Sequence, residues 1–240
     1  MSKKETAFFP VRDNALQRLF ADMGYQNTTN INDTSITCVV FAGGSDVTPF
    51  LYGEALHPRT HFNPDRDMAE IRAYRRFMSP RYMKLGVCRG AQFLNVMNGG
   101  KLYQDVDNHG RTHPAVCLTN GKTFNVTSTH HQMIEPTVDA EIILVANEAT
   151  IKHTFDHEGK TQTLQVSPAD NAGVYHDYDD VEACFYDYTN SLCYQPHPEY
   201  MTQIECTDFF KLIINEYSIR RRDEYVGSRQ IVVKPPVAKE

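Results

Sequence analysis

The 240-residue chain has no long hydrophobic run, no excess of basic residues and no closely spaced cysteines. No run approaches the ~20 apolar residues that a membrane-spanning helix needs, and the polar start of the chain leads into no apolar stretch. We therefore expect neither a membrane protein nor a secretory signal. The net charge of −6 argues against general nucleic-acid binding. The six cysteines form no C-x-x-C pair, which indicates reduced thiols in a cytoplasmic protein.

The rest of the composition is typical of one folded domain. Apolar residues make up 41% of the chain, enough for a sizeable core at this length. We place a single domain at residues 1–219. Residues 220–240, which include Arg220-Arg221-Arg222, are expected to form a flexible, solvated tail. Docking of a partner to this tail is the less favoured alternative.

Short apolar runs alternate with helical patterns along the chain. This order predicts an α/β fold of three layers, with a mostly parallel central sheet and helices on both faces. Strands are predicted at residues 36–41, 83–87, 124–127, 142–146, 181–186 and 191–195, the last two as a hairpin. Helices are predicted at residues 11–23, 65–78 and 89–98, and from the capping box Thr202-x-x-Glu205 to about Tyr217.

The second predicted helix carries an apolar stripe. Asn63-Pro64 should cap its start, because asparagine is a favoured N-cap and proline suits the first helical position. The residues expected to face the core are Met68, Ile71, Tyr74 and Met78.

Cys88 lies between a predicted strand and a predicted helix, with Gly86 and Gly90 two residues away on each side. This G-x-C-x-G spacing is the thiol version of the nucleophile elbow, a turn so tight that its flanking positions require glycine. The turn sets the sulfur beside the first amides of the helix, where reactive cysteines are found. A single cysteine is more often a buried structural residue. Here the spacing and the strand–turn–helix context favour a nucleophile.

His197 lies between two prolines, two residues before Glu199. Proline disfavours the helical region for the residue before it, so Gln195 and His197 should be extended. Residues two apart in an extended chain share a side, which places the Glu199 carboxylate beside the imidazole. A thiol nucleophile needs a base, and the base needs an orienting group, so Cys88, His197 and Glu199 are the candidate catalytic residues. Alone, His-Pro-Glu would indicate only a stiff surface loop.

The spacing G-x-C-x-G-x-Q, with H-x-E more than a hundred residues later, resembles the class I glutamine amidotransferases. The wider match is similar to their γ-glutamyl hydrolase branch, the C26-type peptidases. It runs from about Ile36 to Ile214, although Ala42 stands where proline is usual. The resemblance implies a flavodoxin-like fold and a small γ-glutamyl substrate. The supporting motifs are Gly43-Gly44-Ser45-Asp46, Arg66-Asp67-x-x-Glu70, His130-His131-Gln132 and Val181-Glu182-Ala183.

The resemblance also implies roles for residues around the nucleophile. Acyl transfer needs two donors for the developing oxyanion. The backbone amide of Arg89, next to Cys88, is one natural donor, and the resemblance nominates the Gly44 amide as the other. It further implies that Gln92, His130 and His131 contact the glutamyl group. The two histidines could equally be satisfied structural residues.

Histidine spacing raises metal binding as an alternative. His109 and His113 are four residues apart, as are His153 and His157, and such pairs on a helix can share a metal. A glycine and a proline argue against helix around the first pair, and neither pair carries the glutamate that a zincin places beside its first histidine. We therefore expect no functional metal site, and no cofactor.

Three hypotheses for the function follow. The first is a stand-alone cysteine hydrolase that cleaves γ-glutamyl amide bonds through a thioester. The second is a glutaminase subunit that delivers ammonia to a separate synthetase or ligase partner. The third is a catalytically idle binding module of the same fold, against which the intact Cys–His–Glu set argues.

Overall fold

A central β-sheet organises the computed structural model, which describes residues 5–155, 161–166, 179–200 and 203–227. The helices are α1 (Asn14–Asp22), α2 (Pro64–Arg76), α3 (Arg89–Met97) and α4 (Ile204–Gly227), with short 3-10 turns at Pro49–Tyr52 and Pro198–Tyr200. The strands are β1 (Thr6–Phe8), β2 (Gln26–Thr28), β3 (Ile36–Phe41), β4 (Met83–Val87), β5 (Lys101–Tyr103), β6 (Asp105–Val106), β7 (His113–Cys117), β8 (Thr123–Val126), β9 (Met133–Glu135), β10 (Glu141–Ala146), β11 (Thr150–Phe155), β12 (Thr161–Val166), β13 (Val181–Tyr186) and β14 (Ser191–Tyr194).

The sheet has a parallel half and an antiparallel half. Strands β2, β1, β3, β4 and β14 lie side by side in that order and run parallel. Beyond β14 the order continues through β13, β10, β7 and β8 with antiparallel pairing, and β9 joins β13 to β5. Strands β6, β11 and β12 form a separate small sheet. The α/β fold and the hairpin of β13 and β14 are confirmed.

Helices cover both faces of the sheet, as the element order predicts. On one face, Leu16 and Phe20 of α1 pack with Phe210 of α4. On the other face, Tyr74 of α2 packs against Phe93 of α3. Residues of β3 alternate between these two cores, and all of β4 and β14 is buried. Burial on both faces explains why these parallel strands are mostly apolar, with Lys84 and Ser191 as buried polar exceptions.

Two predicted helices have different bounds in the structure. The helix predicted from residue 11 begins at Asn14, because the Asp13 carboxylate accepts hydrogen bonds from the amides of Ala15 (3.0 Å) and Leu16 (2.9 Å) and so caps it. The last helix continues to Gly227, beyond its predicted end at Tyr217. Thr202 of the predicted capping box lies outside the described residues.

The apolar stripe predicted for α2 is wrong in two of its four positions. The Asn63 cap is confirmed, and Ile71 and Tyr74 are buried, but Met68 is 49% exposed and Met78, also exposed, lies beyond the helix end. The buried face instead contains the carboxylates of Asp67 and Glu70. These carboxylates lie one helical turn apart and pair with guanidinium groups that are described below. The buried side of α2 is therefore partly charged and not a purely apolar stripe.

None of the helices in the described part of the chain combines the length and the apolar character that crossing a membrane requires.

Candidate active site

Three neighbouring parallel strands, β3, β4 and β14, end at the same edge of the sheet. Gly43, Cys88 and His197 follow these strands in the chain. A Cβ atom built on Gly43 would lie 3.0 Å from Cε1 of His197 and 3.6 Å from Cβ of Cys88. Groups far apart in sequence therefore meet at the carboxyl ends of the strands, where open α/β sheets place their sites.

Cys88 occupies the turn between β4 and α3, and its φ of 51° is rare for a residue other than glycine. Its amide donates to the carbonyl oxygen of Tyr194 at 2.9 Å. A Cβ atom on Gly90 would lie 2.0 Å from the carbonyl oxygen of Phe41, and one on Gly86 would lie 2.3 Å from that of Gly90. The predicted need for glycine on both sides of the cysteine is confirmed.

The imidazole of His197 and the carboxylate of Glu199 are in contact, with Nδ1 2.7 Å from Oε1. The predicted extended backbone is wrong after His197, because Pro198–Tyr200 form a 3-10 turn that brings the carboxylate back to the ring. Thr127 fixes the histidine backbone from both sides. Its carbonyl accepts from the His197 amide at 3.0 Å, and its hydroxyl donates to the His197 carbonyl at 2.6 Å.

Tyr200 is a site residue that the sequence did not single out. Its ring stacks on the His197 imidazole, with ring centroids 4.4 Å apart and planes within 4° of parallel. The stack and the contact with Glu199 fix the orientation of the imidazole. Burial lowers the pKa of His197, but hydrogen bonds and charge interactions with Cys88 and Glu199 outweigh burial and raise this pKa to about 10. The ring therefore holds a transferable proton at neutral pH.

Arg66 fixes the Gly43-Gly44 loop. One guanidinium nitrogen, Nη2, donates to the carbonyl oxygens of Ala42 at 2.8 Å and Gly43 at 2.9 Å. Because a trans peptide points its carbonyl and its N–H in opposite directions, the Gly44 N–H faces away from Arg66. Gly44 has a φ of +142°, and a Cβ atom there would lie 2.0 Å from Nη1 of Arg66. Only glycine fits this position.

A buried ionic network connects this loop to α2 and α3. The Arg89 guanidinium, with 1% of the side chain exposed, pairs with Asp67 and Glu70. Nε of Arg66 lies 3.3 Å from Glu70, and Nε of Arg89 donates to the carbonyl oxygen of Ser45 at 3.1 Å. Removing one partner from such a network typically costs about 3–5 kcal/mol, since the remaining charge is buried without compensation. The sequence predicted a role for the Arg89 amide and missed that of its side chain.

A cavity of about 200 Å³ opens beside the nucleophile. It is smaller than the roughly 300–1,000 Å³ of pockets for drug-sized ligands, which suits a small substrate. The walls include all of the predicted site residues except Glu199, namely Gly44, Cys88, Arg89, Gln92, His130, His131 and His197. Asp46, Thr129, Gln132 and Tyr200 also line it.

The two histidines of the pocket have different surroundings. His131 is partly exposed, and its Nε2 lies 3.2 Å from Oδ1 of Asp46, which gives the pocket a polar wall. His130 is buried, and its Nε2 faces Glu182 in the interior at 3.5 Å. Gln92 donates to the carbonyl oxygen of Gln132 at 3.1 Å, which ties α3 to the segment that carries both histidines.

Comparison with known sequences matches residues 26–116 to the Peptidase C26 family. This span contains Cys88 and ends before His197 and Glu199. The chain is 34% identical over 127 residues to the glutamine amidotransferase-like protein YvdE of Lactococcus lactis, an alignment that covers 49% of this chain and 52% of the relative. The chain spans about half the length of the curated relatives it matches.

Two solved structures have a similar fold. A protein of Thermoplasma acidophilum, named for one of the subunits of GMP synthase, aligns with a TM-score of 0.59 over 94% of this chain and 99% of its own length, at 14% identity. PurLQS from Thermotoga maritima aligns with a TM-score of 0.51 over 89% and 99%, also at 14% identity. Structural likeness at this identity concerns the fold alone. The sequence matches make the chain similar to class I glutamine amidotransferase-like proteins over part of its length, and the two solved structures share its fold.

Proposed function

We propose that this protein is a cysteine-dependent hydrolase of γ-glutamyl amide bonds that acts through a thioester. The observation that carries the proposal is that Cys88 and His197 line one cavity while Glu199 contacts the far ring nitrogen of His197. A sulfur on a strained turn, an imidazole hydrogen-bonded to it and a carboxylate on the far ring nitrogen have the geometry of a nucleophile, a base and an orienting group.

In the acylation step, Sγ of Cys88 attacks the γ-carbonyl carbon and forms a C–S bond, while the carbonyl electron pair moves to oxygen. The tetrahedral intermediate then collapses and the C–N bond breaks. His197 donates its proton to the leaving nitrogen, which departs as ammonia or an amine. Glu199 holds Nδ1 and stabilises the imidazolium without taking the proton itself.

In the second step, water attacks the thioester and gives a proton to His197. The C–S bond breaks, glutamate leaves, and Cys88 and His197 return to their starting protonation. Tyr200 covers one face of the imidazole throughout and so holds the ring in place while its nitrogens exchange protons with the substrate and water.

The proposed oxyanion donors are the backbone amides of Gly44 and Arg89. Support comes from the peptide between Gly43 and Gly44, whose carbonyl is held by Arg66. This contact turns the Gly44 N–H to the opposite side, and both donor residues line the cavity with Cys88. A loop fixed in this way stabilises the oxyanion without reorganising during the reaction. It also compensates for Ala42, which would otherwise leave the peptide free to rotate.

The test is turnover of glutamine and a panel of γ-glutamyl amines by the purified chain. We expect at least one substrate to be hydrolysed at roughly 1 s⁻¹ or faster. Cys88→Ala should lose on the order of 10⁴-fold or more. A glutamine-mimicking diazo-ketone should label Cys88 alone among the six cysteines, because Cys88 is the one that lines the cavity. Labelling that persists in Cys88→Ala would refute the assignment of the nucleophile.

One observation favours a second candidate, a glutaminase subunit that delivers ammonia to a synthetase. Three large apolar side chains between residues 50 and 62 are exposed, Phe50 (86%), Leu56 (53%) and Phe62 (37%), and Phe62 forms a β-bridge with Asp46 of the pocket wall. An exposed apolar segment beside a site suits a partner chain. Negligible turnover of the whole panel combined with normal labelling of Cys88 would select this candidate over the stand-alone hydrolase. Loss of labelling as well would select the idle binding module.

A further inference from the structure

A buried group of imidazoles and carboxylates lies behind the pocket. His109 precedes β7, His113 begins β7, and Glu182 lies in β13. His130 joins them from the pocket wall, and Asp180 joins from the residues before β13. At most 1% of any of these side chains is exposed. We call these five residues the histidine cluster. None of them takes part in the proposed chemistry at Cys88.

Three imidazole nitrogens converge on the Glu182 carboxylate. His109 Nδ1 lies 3.1 Å and His113 Nε2 lies 3.0 Å from the same oxygen, Oε1. His130 Nε2 lies 3.5 Å from the other oxygen, Oε2. Despite these short distances, His109 Nδ1, His130 Nε2 and Glu182 Oε2 make no hydrogen bond of acceptable geometry. Buried polar atoms without a partner are rare and point to an unseen ligand.

The other nitrogen of each ring faces an oxygen that only accepts hydrogen bonds. Two of these oxygens are backbone carbonyls, and the third belongs to an ionised carboxylate. These outer contacts join His113 Nδ1 to the carbonyl of Arg111 (3.2 Å), His130 Nδ1 to the carbonyl of Gln132 (2.9 Å) and His109 Nε2 to the carboxylate of Asp180 (2.9 Å). A neutral imidazole has one N–H. If the single N–H of each ring donates to its outer oxygen, the inward-facing nitrogen of that ring carries a lone pair. Three lone pairs then face the Glu182 carboxylate.

We propose that a Zn²⁺ ion binds among these groups, with His109 Nδ1, His113 Nε2 and a Glu182 oxygen as ligands and His130 Nε2 as the fourth. The alternative, a single imidazolium at His109 between the carboxylates of Glu182 and Asp180, leaves the buried atoms His130 Nε2 and Glu182 Oε2 without a hydrogen bond. A divalent cation satisfies all four inward-facing groups at once and leaves each outer N–H with its acceptor.

The distances fit a tetrahedral ion. Zn²⁺ lies about 2.0–2.1 Å from histidine nitrogen and carboxylate oxygen, so its ligand atoms are roughly 3.4 Å apart in tetrahedral geometry. The ligand atoms of His109, His113 and Glu182 all lie within 4.8 Å of one another, with nitrogen–oxygen distances of 3.0 and 3.1 Å. His130 Nε2 lies outside this group, 3.5 Å from the other Glu182 oxygen, and would shift toward the ion to become its fourth ligand. The outer contacts correspond to those by which proteins orient metal-ligating histidines.

The burial of the cluster indicates a structural ion rather than a catalytic one, because a catalytic zinc keeps a position open for water or substrate. The ion would join β7 and β13 to the segment that carries His130, and through it would support the wall of the pocket. The inference does not depend on the proposed function, since it concerns metal content and stability.

The first test measures the metal content of the chain, purified without a histidine tag, by mass spectrometry. We expect about one Zn²⁺ per chain. After removal by a chelator, titration with Co²⁺ should give the visible absorption of a tetrahedral site at a stoichiometry of one. Zn²⁺ at a hundred times its Kd should raise the Tm of the stripped chain by roughly 5–10 °C.

Two variants and one control assign the ion to the cluster. His109→Asn and Glu182→Gln should each lose the Co²⁺ spectrum, whereas His153→Asn should keep it, because the His153 ring lies outside the cluster, 3.3 Å from Asp107. If a variant does not fold, the Co²⁺ titration of the unaltered chain still decides. Absence of both the spectrum and the Tm shift would overturn the proposal, as would an unchanged spectrum in folded Glu182→Gln.

Discussion

Replacing Gly90 by alanine tests the turn that carries Cys88, because helix propensity and tertiary packing predict opposite signs. Gly90 lies in the first turn of α3, where alanine intrinsically stabilises a helix by about 1 kcal/mol relative to glycine. In the structure, however, the new Cβ would lie 2.0 Å from the carbonyl oxygen and 2.5 Å from the carbonyl carbon of Phe41. We expect the packing effect to dominate.

The magnitude follows from the size of this overlap. Real Cβ atoms essentially never approach other atoms closer than 3.0 Å, so α3 and β3 must separate by about 1 Å. Both sides of the contact are backbone, so no side-chain rotation relieves it. Overpacking of this kind costs about 1–3 kcal/mol, which lowers the Tm of a chain of this size by roughly 2–12 °C. A shift of about 1 Å at the nucleophile should also slow acylation by about 10²-fold.

The assay is thermal unfolding together with the rate at which the diazo-ketone labels Cys88. Gly110→Ala is the matched control, because a Cβ atom on Gly110 meets nothing within 4 Å and the backbone needs no positive φ there. The control should change the free energy of unfolding by no more than about 0.5 kcal/mol. An unchanged or higher Tm for Gly90→Ala, with labelling as fast as in the control, would show that the turn is not tight and would refute the reasoning.

Three further predictions concern the groups around Cys88. Glu199→Gln should reduce turnover less than His197→Ala, since the carboxylate orients the imidazole but breaks no bond; equal losses at saturating substrate would give Glu199 a more direct role. Arg66→Met should lower kcat by about 10²-fold, near the effect of losing one oxyanion donor, with little change in KM. The control Arg72→Met, on the exposed face of α2, should match the unaltered chain. The ring of His197 should titrate near pH 10 by NMR, and near its usual 6.5 if the contacts with Cys88 and Glu199 do not form. Because its folded pKa is raised, His197 stabilises the fold fully below pH 6.5 and loses this contribution as the pH rises toward 10, so the unfolding free energy of His197→Asn should depend less on pH in that window.

The sequence by itself determined the features that depend on neighbours in the chain. The glycines beside Cys88, the Asn63 cap of α2 and the pairing of His197 with Glu199 each involve residues within three positions, and short spacings constrain the backbone directly. The alternation of apolar runs with helical patterns likewise determined the α/β class. Resemblance to a family then placed Gln92 and His131 at the pocket, which neither spacing nor periodicity could have done.

Only the tertiary structure decided which distant groups meet. The carboxylates of α2 are buried because the Arg89 guanidinium reaches them from α3, a contact that no periodicity within α2 reveals. Tyr200 stacks on His197 because the chain turns after Pro198 instead of remaining extended. The four-residue spacing of His109 and His113 suggested a helical metal pair and was set aside, since no helix forms there. Strand β13, separated from β7 only by β10 in the sheet, brings Glu182 to both rings, although the histidines lie about seventy positions away in the chain.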